Sequence, residues 1–225
     1  MSLDGSRLAP LSGAQPNALV ILLHGYGSNG DDLISLARMI QPALPDAAFV
    51  APHAPSRMPR MAGAYQWWPI DTFSMAERAA GAAAAAPTLD AFITRECEAT
   101  GLPNDRVLLV GFSQGTMMAL HVGLRRAEPL AGIVGISGML VAPELLLAEI
   151  RSRPPVLLIH GTDDDVVPFR SMDQASTALA AAGVVVEAHV SSGVAHSISQ
   201  DGLAAATAFA VRALGRTSGG TSARQ

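Results

Sequence analysis

The sequence lacks several features that would place it in other protein classes. None of its 225 residues is lysine, its fifteen arginines are scattered and its net charge is −4, so no nucleic-acid partner is expected. Its single cysteine, Cys97, cannot form an internal disulfide, which fits a reducing compartment such as the cytoplasm. Only 15% of the residues are charged and 49% are apolar, which excludes a disordered chain.

Signals for the membrane and for secretion are missing as well. No uninterrupted apolar run approaches the ~20 residues that a membrane-spanning helix needs, so stable membrane insertion is not expected. The N-terminus has no basic stretch followed by an apolar core, which predicts a cytoplasmic protein. Residues 1–16 and 216–225 hold few packing side chains and are expected to be poorly ordered. A chain of this length can bury about 70–75% of its unfolded surface, so we expect one domain over 1–225.

Short apolar runs alternate with longer helical patterns between these ends. The predicted strands are 18–23, 48–51, 106–110, 132–136, 156–159 and 184–190. The predicted helices are 31–40, 74–100, 114–125, 143–151, 170–182 and 199–214. Asp31 and Ser74 are the expected N-caps, and Pro87 is expected to break the second helix. Continuous apolar strands alternating with helices indicate an α/β fold, with a mostly parallel sheet and helices on both faces.

One serine lies in the sequence context of an activated nucleophile. The pattern G-x-S-x-G occurs as GFSQG at 111–115, directly after a predicted strand and before a predicted helix. A nucleophile elbow requires that order, because the serine occupies a strained turn in which larger neighbours would collide. Ser113 is therefore the predicted nucleophile. Ser137, in GISG at a later strand end, lacks the second glycine and an immediate helix, and it is the weaker alternative.

An activated serine needs a general base, and the base needs an acid that orients it. In the chain order Ser…Asp…His, two late histidines qualify. His196 lies in a loop after a predicted strand, as a base that reaches the serine should. His189 lies inside that strand and is expected to point outward with Glu187. The acid is one of the consecutive aspartates Asp163, Asp164 and Asp165, and the residues alone do not choose among them.

The turn HGYG at 24–27 closes the first predicted strand. Backbone N–H groups in such a turn can bind an oxyanion, together with the N–H of Gln114 after the nucleophile. His24 is expected to brace the turn rather than react. No G-x-G-x-x-G pattern or Lys-Ser/Thr pair follows, so a nucleotide is not expected. No cluster of metal ligands stands out either, and neither a metal nor a cofactor is expected.

In combination, these motifs resemble the phospholipase/carboxylesterase family of α/β-hydrolases, which includes the acyl-protein thioesterases. The matching stretches are LLHGYGSNGDDL (22–33), APHAP (51–55), YQWWPID (65–71), GFSQG (111–115), HGTDDDVVP (160–168) and GVAHSIS (193–199). The resemblance implies an α/β-hydrolase fold and a serine hydrolase with a Ser-His-Asp triad. It assigns the acid to Asp164, through the pattern HG-x-x-D-x-V-V-P, and the oxyanion amides to Tyr26 and Gln114.

Two positions depart from the family pattern. Thr116 stands where the family has a second glycine after GFSQG, and we expect it to tighten the floor of the pocket. Asp165 replaces the proline that usually follows the acid, which places an extra charge beside the triad.

The irregular segment 52–69 carries both tryptophans and four prolines without a consistent period. Too few residues separate Ser137 from the next strand for a separate cap domain, so this segment must supply any cover for the site. We expect Trp67, Trp68, Met58 and Met61 to line an acyl-chain groove. The alternative is that these side chains plug the edge of the sheet.

These observations predict a carboxylesterase, lysophospholipase or acyl thioesterase that acts through an acyl-enzyme. Its substrate is a small-molecule or acyl-chain ester, and the enzyme is a monomer or a homodimer. The alternative is a catalytically silent binding protein of the same fold. The choice between ester and thioester, and the length of the acyl chain, stay open.

Overall fold

The computed structural model describes residues 3–72 and 74–215. Its main sheet has seven strands in the order β1-β3-β2-β6-β7-β8-β9, and β4 pairs with β5 in a separate ribbon. The strands are β1 (Gly5–Leu8), β2 (Ala18–Leu23), β3 (Ala47–Pro52), β4 (Ser56–Arg57), β5 (Tyr65–Gln66), β6 (Val107–Phe112), β7 (Gly132–Ile136), β8 (Val156–Gly161) and β9 (Val186–Ser191). The helices are α1 (Gly30–Ile40), α2 (Met75–Thr100), α3 (Gln114–Gly123), α4 (Leu146–Glu149), α5 (Arg170–Ala181) and α6 (Gln200–Gly215).

The sheet is parallel from β3 to β9, and only β1 is added antiparallel, against β3. Every residue of β2 and of β8 is buried, as continuous apolar strands between two helical layers should be. Parallel neighbours cannot be joined by a hairpin, so the helices supply the crossovers. The predicted α/β architecture with a mostly parallel sheet is confirmed.

Two apolar clusters pack the opposite faces of the sheet. One contains Phe92 of α2, Met118 of α3 and Leu179 of α5. The other contains Ala37 of α1 and Phe209 of α6. Helices therefore cover both faces, and burial of these side chains is the main favourable contribution to folding.

The N-terminal segment differs from the expectation of poor order over residues 1–16. Gly5–Leu8 forms β1, paired along its whole length with β3, and Leu3 is only 5% exposed. The His53 amide donates a 2.8 Å hydrogen bond to the Asp4 carbonyl. The physical reason is that an edge strand gains its stability from backbone pairing, which needs no apolar run. Residues 1–2 and 216–225 lie outside the described residues.

Three details of the helices also differ from the sequence pattern. Pro87 does not break α2, which continues through it from Met75 to Thr100. The N-cap of α1 is Asn29, whose side chain accepts from the amide of Asp32 at 2.9 Å, and not Asp31. The predicted helix 143–151 reduces to a 3-10 turn followed by the short α4. The Ser74 cap of α2 is confirmed.

Candidate active site

Ser113 occupies a strained turn between β6 and α3. Its φ of 54° and ψ of −116° are uncommon for a residue with a side chain. A Cβ on Gly111 would lie 2.4 Å from the Gly115 carbonyl oxygen, and one on Gly115 would lie 2.0 Å from the Leu23 carbonyl oxygen. Backbone therefore fills the space at both flanks, and only glycine fits. This tight packing holds the turn in place despite its strain.

His196 reaches this serine from the loop after β9. Its Nε2 lies 3.0 Å from Ser113 Oγ. Its Nδ1 lies 2.8 Å from Asp164 Oδ2 and 3.0 Å from Asp164 Oδ1. The imidazole also packs against the Phe112 ring, with 4.9 Å between the ring centroids. The structure thus joins the predicted nucleophile, base and acid in one hydrogen-bonded chain.

The Asp164 carboxylate is fully buried and well supplied with donors. Its Oδ1 accepts hydrogen bonds from the amides of Val166 at 3.0 Å and Val167 at 2.8 Å. Burial acts to raise the pKa of Asp164, but the hydrogen bonds from His196 and the two amides outweigh it, so the pKa lies below its ordinary value. The group is therefore an anion at neutral pH and favours a proton on Nδ1 of His196.

The two neighbouring aspartates do not take part in this chain. Asp163 and Asp165 are exposed, and Asp163 accepts a 2.7 Å hydrogen bond from Thr162 Oγ1. Their difference from Asp164 is one of direction, because consecutive residues of a turn point to different sides.

His160 is a contributor that our reading of the sequence missed. It is buried at the end of β8, its Nε2 donates to the Val167 carbonyl at 2.8 Å, and the same nitrogen lies 3.3 Å from Asp164 Oδ2. It therefore fixes the loop whose amides hold the carboxylate. The signal for it was its place at the start of HGTDDDVVP, four residues before the acid.

The HGYG turn lies directly against the nucleophile. A Cβ on Gly25 would be 3.2 Å from the Cβ of Ser113. The next amide along the turn is that of Tyr26. The amide of Gln114 belongs to the first turn of α3, where N–H groups have no partner inside the helix. The two predicted oxyanion residues therefore flank Ser113 from two adjacent strand ends.

His24 braces this turn, as the sequence suggested. It is fully buried, its Nδ1 donates to the Gly25 carbonyl at 2.7 Å and its Nε2 accepts from the Ala54 amide at 2.9 Å. Burial lowers the pKa of His24 to about 4, although the hydrogen bond to Gly25 acts in the opposite direction. The imidazole is thus neutral at pH 7, which this donor and acceptor pattern requires.

The two tryptophans do not line an open groove, and this part of the groove prediction is corrected. Trp67 is 2% exposed and Trp68 is 4% exposed, and both belong to the apolar core on the α2 face. Trp67 Nε1 donates to the His24 carbonyl at 3.0 Å. The reason is the large apolar area of the indole rings, which is more stable in the core than at a solvated rim.

The Gln114 side chain holds the backbone of the two tryptophans in place, a role that the sequence did not predict. Its Oε1 accepts from the Trp67 amide at 2.8 Å, and its Nε2 donates to the Trp68 carbonyl at 3.0 Å. Met58 and Met61 remain near the surface. A Cβ on Gly27 would lie 3.9 Å from Met58 Sδ, which puts this methionine beside the HGYG turn, and Met61 is 52% exposed.

The alternative serine and histidine make no hydrogen bond to Ser113, His196 or Asp164 among the described residues. Ser137 is fully buried, and its Oγ has no hydrogen-bond partner among the described residues. His189 is partly exposed at the sheet edge, and its Nε2 lies 2.8 Å from Asp201 Oδ2 at the start of α6. The contact with Asp201 accounts for His189, whereas the Ser137 hydroxyl is a buried polar group without a partner among the described residues.

Thr116, the departure from the family pattern, bonds to backbone rather than facing a substrate. Its buried Oγ1 lies 2.8 Å from both the Gly111 and the Ile136 carbonyl oxygens, and it accepts from the Ile136 amide at 2.9 Å. A Cβ on Gly138 would lie 2.3 Å from Thr116 Cβ, so that position needs glycine. The threonine therefore ties the elbow to β7.

Within residues 3–72 and 74–215, no helix is long and apolar enough to cross a membrane. The same part of the chain holds no group of three or more His, Cys, Asp or Glu side chains arranged to bind a metal ion.

Comparison with known proteins supports the reading of these motifs. A family model described as Phospholipase/Carboxylesterase matches residues 11–212. Acyl-protein thioesterase 1 of Schizosaccharomyces pombe is 33% identical over 165 residues, which are 67% of this chain and 70% of that protein. Acyl-protein thioesterase 1 of Neurospora crassa is 32% identical over 203 residues, 82% of each chain. The crystal structure of esterase PE8 superimposes with a TM-score of 0.90 at 49% identity, covering 93% of this chain and 98% of that one.

Proposed function

Because this chain belongs to the phospholipase/carboxylesterase family, and is therefore an α/β-hydrolase that acts on esters or thioesters as a serine hydrolase, we propose that Ser113, His196 and Asp164 are its catalytic triad. The observation that carries the proposal is the 3.0 Å separation of His196 Nε2 from Ser113 Oγ, with Asp164 bonded to the opposite ring nitrogen. A general base must lie within hydrogen-bond reach of the proton that it removes.

The first half of the reaction forms an acyl-enzyme. Ser113 Oγ attacks the carbonyl carbon while His196 Nε2 takes the hydroxyl proton. The negative charge that develops on the carbonyl oxygen is stabilised by the amides of Tyr26 and Gln114, each contributing about 3–4 kcal/mol to the transition state. The carboxylate of Asp164 stabilises the imidazolium. His196 then returns the proton to the leaving alcohol or thiol, and the bond to the leaving group breaks.

The second half releases the acid. Water attacks the acyl carbon as His196 accepts one of its protons, and the same amides stabilise the second oxyanion. The proton passes to Ser113 Oγ as the acyl bond breaks, which restores the free enzyme. The low pKa of Asp164 keeps its carboxylate charged through both halves.

We infer that the substrate carries an aliphatic acyl group that lies along the loop of Met58 and Met61. Met58 lies beside the HGYG turn, and Met61 exposes half of its surface to solvent. Methionine adapts to flexible chains because its own side chain is unbranched and polarizable. The acyl-protein thioesterases among the relatives support an acyl-chain substrate, and the similarity to esterase PE8 supports an ester.

The test is the hydrolysis of p-nitrophenyl esters from acetate to palmitate and of one acyl thioester. Ser113→Ala should lower kcat by at least about a thousandfold with each substrate, because the nucleophile is lost. Ser137→Ala, the matched control, should keep full activity. Met58→Ala should lower kcat/KM for long chains more than for acetate. Ester hydrolysis that persists in folded Ser113→Ala contradicts the triad.

We propose further that the enzyme acts in the cytoplasm as a single domain, as a monomer or homodimer. The lone, half-buried Cys97 supports a reducing compartment, since it needs no oxidised partner.

A further inference from the structure

A groove lies on the outer side of α2, and none of the three triad residues lines it. It consists of two adjacent cavities of about 610 and 710 Å³. Both cavities are lined by the same four residues, Ala83, His121, Arg125 and Arg151, so they meet there. We call the whole the α2 groove and these four residues its junction.

Alanines create the space in this groove. Ala79, Ala80, Ala83 and Ala86 follow one another along one side of α2, and each lines one or both cavities. Longer side chains at these positions would fill the groove. Leu145 and Ala148 line the facing wall, so the second cavity is mostly apolar. The alanines of α2 therefore create a groove that is not part of the catalytic site.

The junction contains a buried polar group without a partner. His121 is 7% exposed, and its Nδ1 makes no hydrogen bond within the described residues. That nitrogen has no accessible surface, so a molecule in the groove cannot reach it. The ring nitrogen open to the groove is Nε2, which also makes no hydrogen bond within the described residues and is free to meet a ligand. Burial, together with the charge of Arg125, lowers the pKa of His121 to about 4. The ring is therefore neutral at pH 7 and can donate one N–H.

The charges at the junction favour an anion. The Arg151 side chain is exposed and makes no hydrogen bond or ion pair with any residue that the structure describes. Arg125 is bonded to Glu149 and to the His121 carbonyl.

Of the acidic side chains of the groove, only Glu149 reaches the junction, through its ion pair with Arg125, so Arg151 is the junction arginine that has no anionic partner among the described residues. Asp90 and Glu128 line only the first cavity, and Glu149 lines only the second. Asp90 is paired with Arg126, and Glu128 accepts from Asn104 at 2.8 Å. The charged side chains shared by both cavities are therefore cationic.

We propose that the α2 groove binds an aliphatic monocarboxylate, with its carboxylate at Arg151 and His121 and its chain along the alanine wall. N–H donors on a guanidinium and an imidazole match the acceptor-only carboxylate group. Each of the two cavities has a volume in the range that small-molecule sites occupy. The proposed hydrolysis releases acids of this class, so the groove would bind a product of the enzyme. The binding itself does not depend on that reaction.

The test is titration of laurate into the protein, followed by calorimetry. Ala83→Leu should abolish binding, because the leucine fills the junction, whereas Ala84→Leu adds the same side chain at an exposed neighbour outside the groove and should bind normally. Arg151→Gln should raise Kd about tenfold. Arg38→Gln, the same charge change on α1, should leave Kd unchanged.

Each variant is also assayed on p-nitrophenyl acetate, where all four should match the wild type and so show that they are folded. Equal laurate binding by Ala83→Leu and Ala84→Leu overturns the proposal, as does failure of the wild type to bind laurate. Equal affinity for dodecanol overturns the role of the carboxylate. None of these outcomes depends on the identity of the nucleophile.

Discussion

Replacing Asp164 with asparagine should disable the proposed base while preserving the turn around it. The asparagine oxygen can still accept from the amides of Val166 and Val167, which now bond to Oδ1 at 3.0 and 2.8 Å. Its NH₂ group then faces Nδ1 of His196, which lies 2.8 Å from the present Oδ2. That nitrogen must become an acceptor, so the ring proton moves to Nε2 and points at Ser113. A protonated Nε2 cannot take the serine proton.

The magnitude follows from the wrong tautomer. In the serine-protease triad the same substitution lowers kcat by about 10⁴, which corresponds to about 5.5 kcal/mol of barrier. Stability should fall as well. His160 Nε2 lies 3.3 Å from Oδ2, so the new NH₂ would face an N–H donor with no acceptor between them. A buried donor left unpaired costs about 1–3 kcal/mol.

The assay is kcat for p-nitrophenyl acetate hydrolysis at neutral pH, with urea denaturation of the same samples. Asp163→Asn is the matched control, because it removes the same charge from an exposed neighbour, and it should stay within about twofold of the wild type. If Asp164→Asn keeps more than a tenth of the wild-type kcat, the tautomer argument is wrong. An equal loss of kcat in Asp163→Asn would show that the loss of negative charge, and not the tautomer of His196, lowers the rate.

Two further predictions concern the elbow and the buried imidazole. Gly115→Ala should lower the free energy of unfolding by about 3 kcal/mol or more and abolish activity, because its Cβ would lie 2.0 Å from the Leu23 carbonyl oxygen. Gly215→Ala is the control, because a Cβ there meets nothing within 4 Å and should leave stability unchanged. Equal Tm values for the two variants would refute the packing argument. The pKa of His24 in the folded protein, about 4, is below its ordinary 6.5. The contribution of its neutral imidazole to the free energy of unfolding is therefore complete above pH 6.5 and is lost as the pH falls toward 4. Urea denaturation should show a loss of about 2 kcal/mol from this group between pH 7 and pH 5, and a loss that His24→Gln does not reduce would contradict the assignment.

The buried strands could be predicted because they are continuous apolar runs. Ala18–Leu23 and Gly132–Ile136 have the predicted bounds, since both faces of these strands are covered and no polar residue interrupts them. β1 was missed because its residues GSRL carry no such run, and its stability depends on backbone pairing with β3. Edge strands leave a weaker trace in a sequence than central ones.

The candidate site followed a similar rule. Ser113 and His196 could be placed from motifs at strand ends, because the carboxyl ends of parallel strands meet along one edge of the sheet. Asp164 needed the family resemblance, since three identical carboxylates in one turn differ only in direction. The burial of Trp67 and Trp68 could not be predicted, because an irregular loop has no period from which to derive a buried face.

The position of β9 has a consequence for how the protein loses activity. This strand forms one of the two edges of the sheet, pairs with β8 and is followed by the loop of His196. Edge elements open locally at a lower free energy than the central strands. Detachment of β9 would withdraw the base while Ser113, the HGYG turn and the strands beneath them stay folded. Inactivation by mild denaturant should therefore precede the loss of the helical circular dichroism signal. The activity of this chain would then report on whether one edge of its sheet is folded.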